Sequence, residues 1–161
     1  NNQMFYFTSI KQDPLIARIM ELYDNVIPAS NSSIALSLFK LSQIIDNKAY
    51  HDRSLQMLNN MLNNIERYPT GHSNWLMLYQ YNLFPFYQIV IVGNNAMKIK
   101  NKIDDEYIPN KIFAGSTFNT DNLNILKNKY INNKTYIYIC ENNSCLLPVQ
   151  TIQESFKLIK F

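Results

Sequence analysis

The stretch Asp24-Asn25-Val26-Ile27-Pro28-Ala29-Ser30-Asn31-Ser32-Ser33 decides the fold of the first half of the chain. Pro28 fixes its own φ angle and keeps Ile27 out of the helical region, so no helix can run through this point. The small polar residues that follow offer side-chain oxygens to the free N–H groups of a helix that is expected to begin at about Ser32. The sequence therefore predicts a fixed polar turn at the start of an apolar helix, which is a place where a site can form.

Three helices are predicted after this turn, at residues 32–46, 49–67 and 73–83. The first has only a narrow polar stripe, and the third, which contains Trp75, is apolar almost all round. Helices of this kind pack on more than one side. Because the connections are short, we expect antiparallel helical hairpins.

The residues before the turn are rich in aromatic side chains. Phe5-Tyr6-Phe7-Thr8 is expected to be a short strand, because aromatic residues favour strands. Residues 15–23 follow the turn at Asp13-Pro14 and can be a strand or a short helix. We favour a strand, which makes the two segments a β-hairpin.

The pattern changes after Pro85. Three runs rich in β-forming residues, at 88–93, 111–115 and 135–140, alternate with helices predicted at 96–106, 121–129 and 151–160. Strand–helix repeats of this length are typical of right-handed parallel crossovers. The second half is therefore predicted to be a small three-stranded parallel α/β unit. Residues 1–84 form the first domain in this interpretation, with a β-hairpin and helical hairpins, and residues 85–161 form the second.

Composition and charge restrict the function classes. The net charge of +3 arises without any dense run of lysine or arginine, so nucleic acid is not an expected partner. No apolar run approaches the roughly 20 residues that span a bilayer, so no membrane is expected either. Two cysteines are too few for the disulfide framework of a secreted protein, and a cytoplasmic location is the expectation.

Four segments of the chain, in this order, resemble one family. They are Phe5-Tyr6-Phe7-Thr8 with residues 15–18 and 23–32, then Ile89-Val90-Ile91-Val92-Gly93, then Tyr107-Ile108-Pro109-Asn110-Lys111, and finally residues 138–149. Together they cover nearly the whole chain. They are similar to the C-terminal end of the thioredoxin-domain-containing protein family that includes spermatogenesis-associated protein 20.

This resemblance implies a partial six-hairpin α/α toroid, similar to the N-acylglucosamine 2-epimerases, followed by an α/β tail. It also implies that a thioredoxin-like domain, with any redox cysteines, and most of the toroid lie upstream, so that upstream domains of the same protein are expected partners. The chain departs from the family at Pro28-Ala29-Ser30-Asn31-Ser32, where the family favours Pro-Ser-Gly-Asn-Ser. The missing glycine argues against close approach of a ligand to this backbone.

The candidate site residues lie around the polar turn. Asp24, Ser30 and Asn31 can hydrogen-bond sugar hydroxyls at the mouth of a helical toroid. In the alternative, Ser30 or Asn31 caps the helix and Asp24 fixes the turn. Glu21 and Asp24 are weak candidates for the two carboxylates of a glycosidase. Arg18 is a candidate for an anionic substrate, or for a surface ion pair with Glu21 or Asp24.

No cofactor and no metal site are expected. Zinc needs about four ligands, whereas Cys140 and Cys145 have no histidine near them in sequence. They are expected to be two buried small residues, with a disulfide as the alternative. His51 and His72 are isolated and are expected at the surface and at a helix cap.

Two further patterns have simple interpretations. Gly93-Asn94-Asn95 follows a strand and opens a helix, which suits an anion, but it lacks the G-x-G-x-x-G pattern of a dinucleotide site. The run of apolar residues from Trp75 to Tyr81 is expected to be core and not a cofactor site.

Two function classes follow from these residues. In the favoured one, the chain has no catalytic activity in isolation and has a structural or interaction role, including a homodimer through its helical half. The alternative is part of a carbohydrate-active or epimerase-like enzyme, with residues 24–31 in its cleft. Neither class assigns a reaction.

Overall fold

A computed structural model describes residues 4–13, 16–142 and 144–159 of the chain. The chain divides into two compact units. Unit 1 comprises the residues up to Ser42 together with residues 48–80, and unit 2 comprises residues 43–47 and everything from Tyr81 onward.

Unit 1 is built on three helices, α1 (Ser30–Ile45), α2 (Lys48–Arg67) and α3 (Ser73–Leu83), of which α1 and α3 end in residues that belong to unit 2. All three begin within two residues of the predicted positions, so their prediction is confirmed. A hydrogen bond joins α2 to α1: the buried Ser54 hydroxyl donates to the Ala35 carbonyl oxygen at 2.9 Å. The core of unit 1 consists of large apolar side chains: Phe39, Met57, Leu58, Met61, Ile65, Trp75 and Leu78.

The predicted β-hairpin is wrong for the described residues. Neither residues 5–8 nor residues 16–23 form a strand, and Leu15 lies outside the described residues. The two segments share a backbone hydrogen bond from Phe7 N–H to the Ile19 carbonyl at 2.8 Å. A two-stranded hairpin alone is marginally stable, and the side chain of Asn31 on α1 holds the Phe5 backbone instead, through its amide oxygen and nitrogen.

Unit 2 contains a four-stranded sheet. Its strands are β1 (Tyr87–Val92), β2 (Lys111–Ser116), β3 (Tyr136–Glu141) and β4 (Ser144–Cys145), in the spatial order β2-β1-β3-β4. β1 is parallel to β2 and antiparallel to β3, and β3 is antiparallel to β4. Helices α4 (Ala96–Asp104) and α5 (Ile152–Lys157) complete the unit.

The prediction of a three-stranded parallel sheet is therefore wrong, and the reason lies between β2 and β3. Residues 121–129 were predicted to be a helix but form only the short 3-10 turn Asn124–Leu126. Three of these nine residues are asparagines, which favour turns over helix interiors. Without a helix to return the chain along the sheet, β3 begins at the end where β2 stops: Val92 is opposite both Ser116 and Tyr136.

The partial six-hairpin toroid is also wrong. The described residues contain five α-helices and a mixed sheet, and only three of those helices precede the sheet. Three helices cannot supply even two complete hairpins of such a ring. The fold is a small helical unit followed by a mixed α/β unit.

The central strand β1 is buried on both faces. One face of the sheet packs against α4 and α5, with Ile89, Ile103, Ile137 and Ile139 at its centre. The other face is covered by the 3-10 turn, whose Ile125 and Leu126 contact Val90 and Val92. This arrangement leaves β2 at one edge of the sheet.

Candidate functional site

Asp24 is buried and joins two helices of unit 1. Its Oδ1 atom accepts hydrogen bonds from the Ala29 N–H at 2.9 Å and from the Ser32 hydroxyl at 2.6 Å. Its Oδ2 atom accepts from the Asn74 N–H at 2.9 Å, in the first turn of α3. The Asp24 N–H donates to the Gly71 carbonyl at 2.9 Å. This carboxylate is thus bonded to backbone and to one hydroxyl, as expected of a residue that fixes a turn.

Glu21, Ser30 and Asn31 complete the same network. The Ser30 N–H donates to the Glu21 Oε2 atom at 3.0 Å, so Glu21 binds the first residue of α1. Asn31 is fully buried, and its amide nitrogen donates to the carbonyl oxygens of Phe5 and Glu21, each at 2.9 Å. Two carboxylates therefore lie at the N-terminal end of α1, where the helix dipole favours negative charge.

Arg18 does not join this network. Its Nη2 atom donates to the Thr8 carbonyl at 2.8 Å, and its guanidinium lies 4.3 Å from the centre of the Tyr6 ring. Among the described residues, the structure shows no ion pair of Arg18 with Glu21 or Asp24. The structure thus brings together Asp24, Glu21, Ser30 and Asn31 and leaves Arg18 apart.

A shallow groove of about 400 Å³ lies beside this network. It is lined by Phe7 and by residues 19–23, so it lies between the two extended segments of unit 1. Glu21 contributes its one charged side chain, and that carboxylate already accepts from the Ser30 N–H. The Asp24 side chain does not line this groove.

Both histidines lie in unit 1, and His72 is fully buried. Its Nδ1 atom lies 2.7 Å from the Tyr68 carbonyl, so Nδ1 carries the proton and donates, while the buried Nε2 atom has no partner within the described residues. The ring packs against Tyr23, with 5.0 Å between centres. His51 is half-buried, 5.9 Å from the Phe39 ring.

Cys140 and Cys145 form a disulfide, which corrects the expectation of two unlinked buried residues. They lie directly opposite each other on β3 and β4. The sequence reasoning missed β4 because that strand contains only two residues. The spacing of five is what a tight antiparallel hairpin needs to bring two cysteines into register.

Two of the three N–H groups of the Gly93-Asn94-Asn95 loop donate hydrogen bonds within unit 2. Gly93 has a φ of 130°, and a side chain there would collide with the Lys134 carbonyl oxygen. The Gly93 N–H donates to the Ser116 carbonyl and the Asn95 N–H to the Thr135 hydroxyl, at 2.9 and 3.1 Å. These amides therefore do not form a cradle for an anion.

A second cleft, of about 520 Å³, runs along β2 in unit 2, and we call it the β2 cleft. Its walls are mostly apolar, and they come from β2, the start of α4 and the residues after β2. The lining side chains include Met97, Lys100, Phe113, Ala114, Phe118 and Leu123. The sequence did not indicate this cleft, because it depends on which strand lies at the edge of the sheet.

The charged groups near the β2 cleft form one trio. The Asp104 carboxylate pairs with Lys100 at 2.6 Å and with Lys111 at 3.1 Å. Hydrogen bonds from Lys100 and then Lys111 hold the pKa of the Asp104 carboxyl below its usual range. The single carboxylate of Asp104 thus forms ion pairs with two ammonium groups.

No group of three or more His, Cys, Asp or Glu side chains among the described residues is arranged to hold a metal ion. No helix in that part of the chain has the length and apolar character needed to cross a membrane.

The amino-acid sequence of the chain is distantly similar to that of one known protein in two organisms. No family model matches the chain. The chain is 25% identical to spermatogenesis-associated protein 20 of Rattus norvegicus and 24% identical to that of Homo sapiens, in each case over 152 residues and 88% of this chain. It spans 19% of the length of these relatives. The similarity supports a distant relation of this chain to spermatogenesis-associated protein 20.

Proposed function

We propose that the chain is a structural and interaction module of a longer protein whose reaction is unassigned. Unit 1 makes the contacts in this proposal. The relatives support a longer parent protein, because the chain matches only 19% of their length.

The observation that carries the proposal is that large apolar side chains in and before the polar turn are exposed while polar side chains of the turn are buried. Ile16 and Val26 are 98% and 95% exposed, whereas Asp24 and Asn31 are 7% and 0% exposed. A large apolar side chain left in water forgoes roughly 1.5–3 kcal/mol of burial free energy. The polar side chains therefore hold the fold of this segment, and the apolar ones are free to contact a partner.

Unit 1 has further exposed apolar residues. They lie in the extended segments and on the three helices: Phe5, Tyr6, Phe7, Ile10, Ile19, Tyr23, Ile27, Leu41, Leu62, Met77 and Tyr79. Exposed apolar surface of this kind drives association. In isolation a second copy of the chain covers it, since a symmetric dimer is the commonest closed assembly. In the longer protein, upstream domains of the same polypeptide take that place.

The carbohydrate-active alternative has less support. A glycosidase needs one carboxyl group that protonates and one that attacks or activates water, both within reach of a sugar. The Asp24 oxygens already accept three hydrogen bonds from Ala29, Ser32 and Asn74. A structural role explains these contacts without a substrate.

Sedimentation or light scattering over a concentration series tests the proposal. We expect the chain to form a dimer, and the Ile16→Lys/Val26→Lys variant to be monomeric with unchanged circular dichroism. The matched control is Tyr107→Lys/Leu147→Lys, which charges two residues of unit 2 that are also largely exposed. This control should still form the dimer. A wild-type monomer at high concentration, or equal dissociation by both variants, would contradict the proposal.

A further inference from the structure

The edge of β2 presents a regular row of backbone hydrogen-bonding groups. Tyr87 N–H donates to the Asn110 carbonyl and Gly93 N–H to the Ser116 carbonyl, so the even-numbered residues of this strand face β1. In a parallel ladder the alternate residues face the other way. The N–H and C=O groups of Lys111, Phe113 and Gly115 therefore point to the open edge of the sheet.

The β2 cleft has walls on both faces of this edge. On one face, the start of α4 contributes Met97 and Lys100, and Phe113 of β2 lies on the same face. On the other face, Leu123 packs with Ala114 in the cluster under the 3-10 turn. Met97 and Phe118 are largely exposed at the rim. This is a slot along a strand edge, with apolar walls for the side chains of an added strand.

The charge on the α4 side of this slot is positive. Lys100 and Lys111 share the single carboxylate of Asp104, which leaves a net charge of +1 for the trio. Their ammonium groups lie 5.4 and 5.3 Å from the centre of the Phe113 ring. An acidic side chain on the face of α4 complements this arrangement.

We propose that the edge of β2 binds an extended peptide segment by strand addition, and that the segment alternates apolar side chains with an acidic residue beside Lys100 and Lys111. Main-chain hydrogen bonds provide affinity in this mode of recognition, and the pockets for alternate side chains provide specificity. The β2 edge has neither a proline nor a bulge, two of the features that commonly block pairing at sheet edges, and its one charged residue, Lys111, is the first residue of the strand.

A second copy of the chain suits this edge less well. Pairing β2 with its own copy about a two-fold axis would place the two α4 helices side by side on one face of the joined sheet. Each α4 carries Lys98, Lys100 and Lys102, and Asp104 is the one acidic residue within the helix. Repulsion between two such helices disfavours the dimer, whereas an acidic peptide is attracted.

Amide hydrogen exchange on the full chain tests the proposal. The probe is an end-blocked eight-residue peptide of alternating valine and threonine with one central aspartate. We expect it to slow exchange at the amides of Lys111, Phe113 and Gly115, while those of Ile112 and Ala114 are slow already without peptide. A lysine in place of the aspartate should weaken binding about threefold, the size of an exposed ion pair. A proline at a residue whose N–H faces β2 should weaken binding at least about fivefold, because proline has no N–H to donate.

Lys111→Pro and Lys111→Ala form the matched pair of protein variants. Both remove the ammonium group with its contacts to Asp104 and the Glu106 carbonyl, and only proline also removes the outward N–H. We expect binding to Lys111→Pro to be at least about fivefold weaker than to Lys111→Ala. Equal binding to these two variants, where both retain the β1 amide spectrum, would overturn the proposal. Amide exchange at Phe113 and Gly115 that the peptide leaves unchanged would also overturn it. So would exchange there that slows as the protein concentration rises without peptide, because the edge would then pair with a second copy of the chain.

Discussion

The Oδ2 atom of Asp24 accepts a hydrogen bond from the backbone N–H of Asn74, 50 residues further along the chain, at 2.9 Å. The Oδ1 atom accepts from Ala29 at the entry to α1. One buried carboxylate thus joins the beginnings of α1 and α3. Both helix ends carry partial positive charge from their free N–H groups, which the carboxylate stabilises.

Asp24→Asn should destabilise the chain by about 2–4 kcal/mol, the range for a buried hydrogen-bonding group left facing another donor. Both carboxylate oxygens accept from N–H groups, so an amide NH₂ at either position meets a donor. Chemical denaturation followed by the fluorescence of Trp75, the single tryptophan of the chain, measures the change.

The matched control for this prediction is Asp52→Asn. Asp52 pairs with Lys48 on the exposed surface of α2, so its loss should change the unfolding free energy by less than about 1 kcal/mol. Equal effects of the two substitutions would show that Asp24 is not the link between the helices.

Ser32→Ala should destabilise the chain by about 1–2 kcal/mol, because the buried Ser32 hydroxyl donates to Asp24 Oδ1 at 2.6 Å. Its effect should not add to that of Asp24→Asn, since both residues belong to one network. A double-mutant cycle on the unfolding free energy should give a coupling of at least about 0.5 kcal/mol. Additive effects would mean that the two side chains act independently.

Local sequence signals were sufficient for the helices of unit 1 and for three of the strands. Pro28 and the polar residues after it define the start of α1, and a continuous β-branched run defines β1, because these signals act within a few residues. The direction of β3 was not predictable in the same way. It depends on whether the connection from β2 forms a helix, and the asparagines at 122, 124 and 128 favour turns instead.

The candidate site was predictable as a cluster but not as a set of contacts. Asp24, Ser30 and Asn31 lie close together in sequence, so their proximity follows from the turn. The contact to Asn74 depends on how α3 packs, and no local pattern encodes it. The Cys140–Cys145 bond was hard to predict for the same reason, since it depends on a two-residue strand.

Reduction of the Cys140–Cys145 disulfide should lower the unfolding free energy by about 2 kcal/mol, the entropic effect expected for a short closed loop. Thiol titration of the unfolded chain should find no free cysteine before reduction and both cysteines after it. Cys140→Ser/Cys145→Ser should reproduce the reduced stability and be insensitive to reductant. A reductant effect that persists in this double variant would have another cause.

The capping box of α5 should make local stability depend on pH. The Glu154 Oε2 atom accepts from the Thr151 hydroxyl at 2.7 Å, and this hydrogen bond is the main reason that the pKa of the Glu154 carboxyl lies below its ordinary value. A lowered folded-state pKa means that the stabilisation is complete above the unfolded-state pKa of about 4.3 and is lost as the pH falls through the folded-state value. Hydrogen exchange at the α5 amides should therefore be slower in the wild type than in Glu154→Gln at neutral pH, and this difference should vanish in acid.

In Thr151→Val the pKa of Glu154, measured by NMR titration of its carboxyl carbon, should rise toward the ordinary value. A Glu154 pKa that is the same with and without the Thr151 hydroxyl would rule out the capping box as the cause.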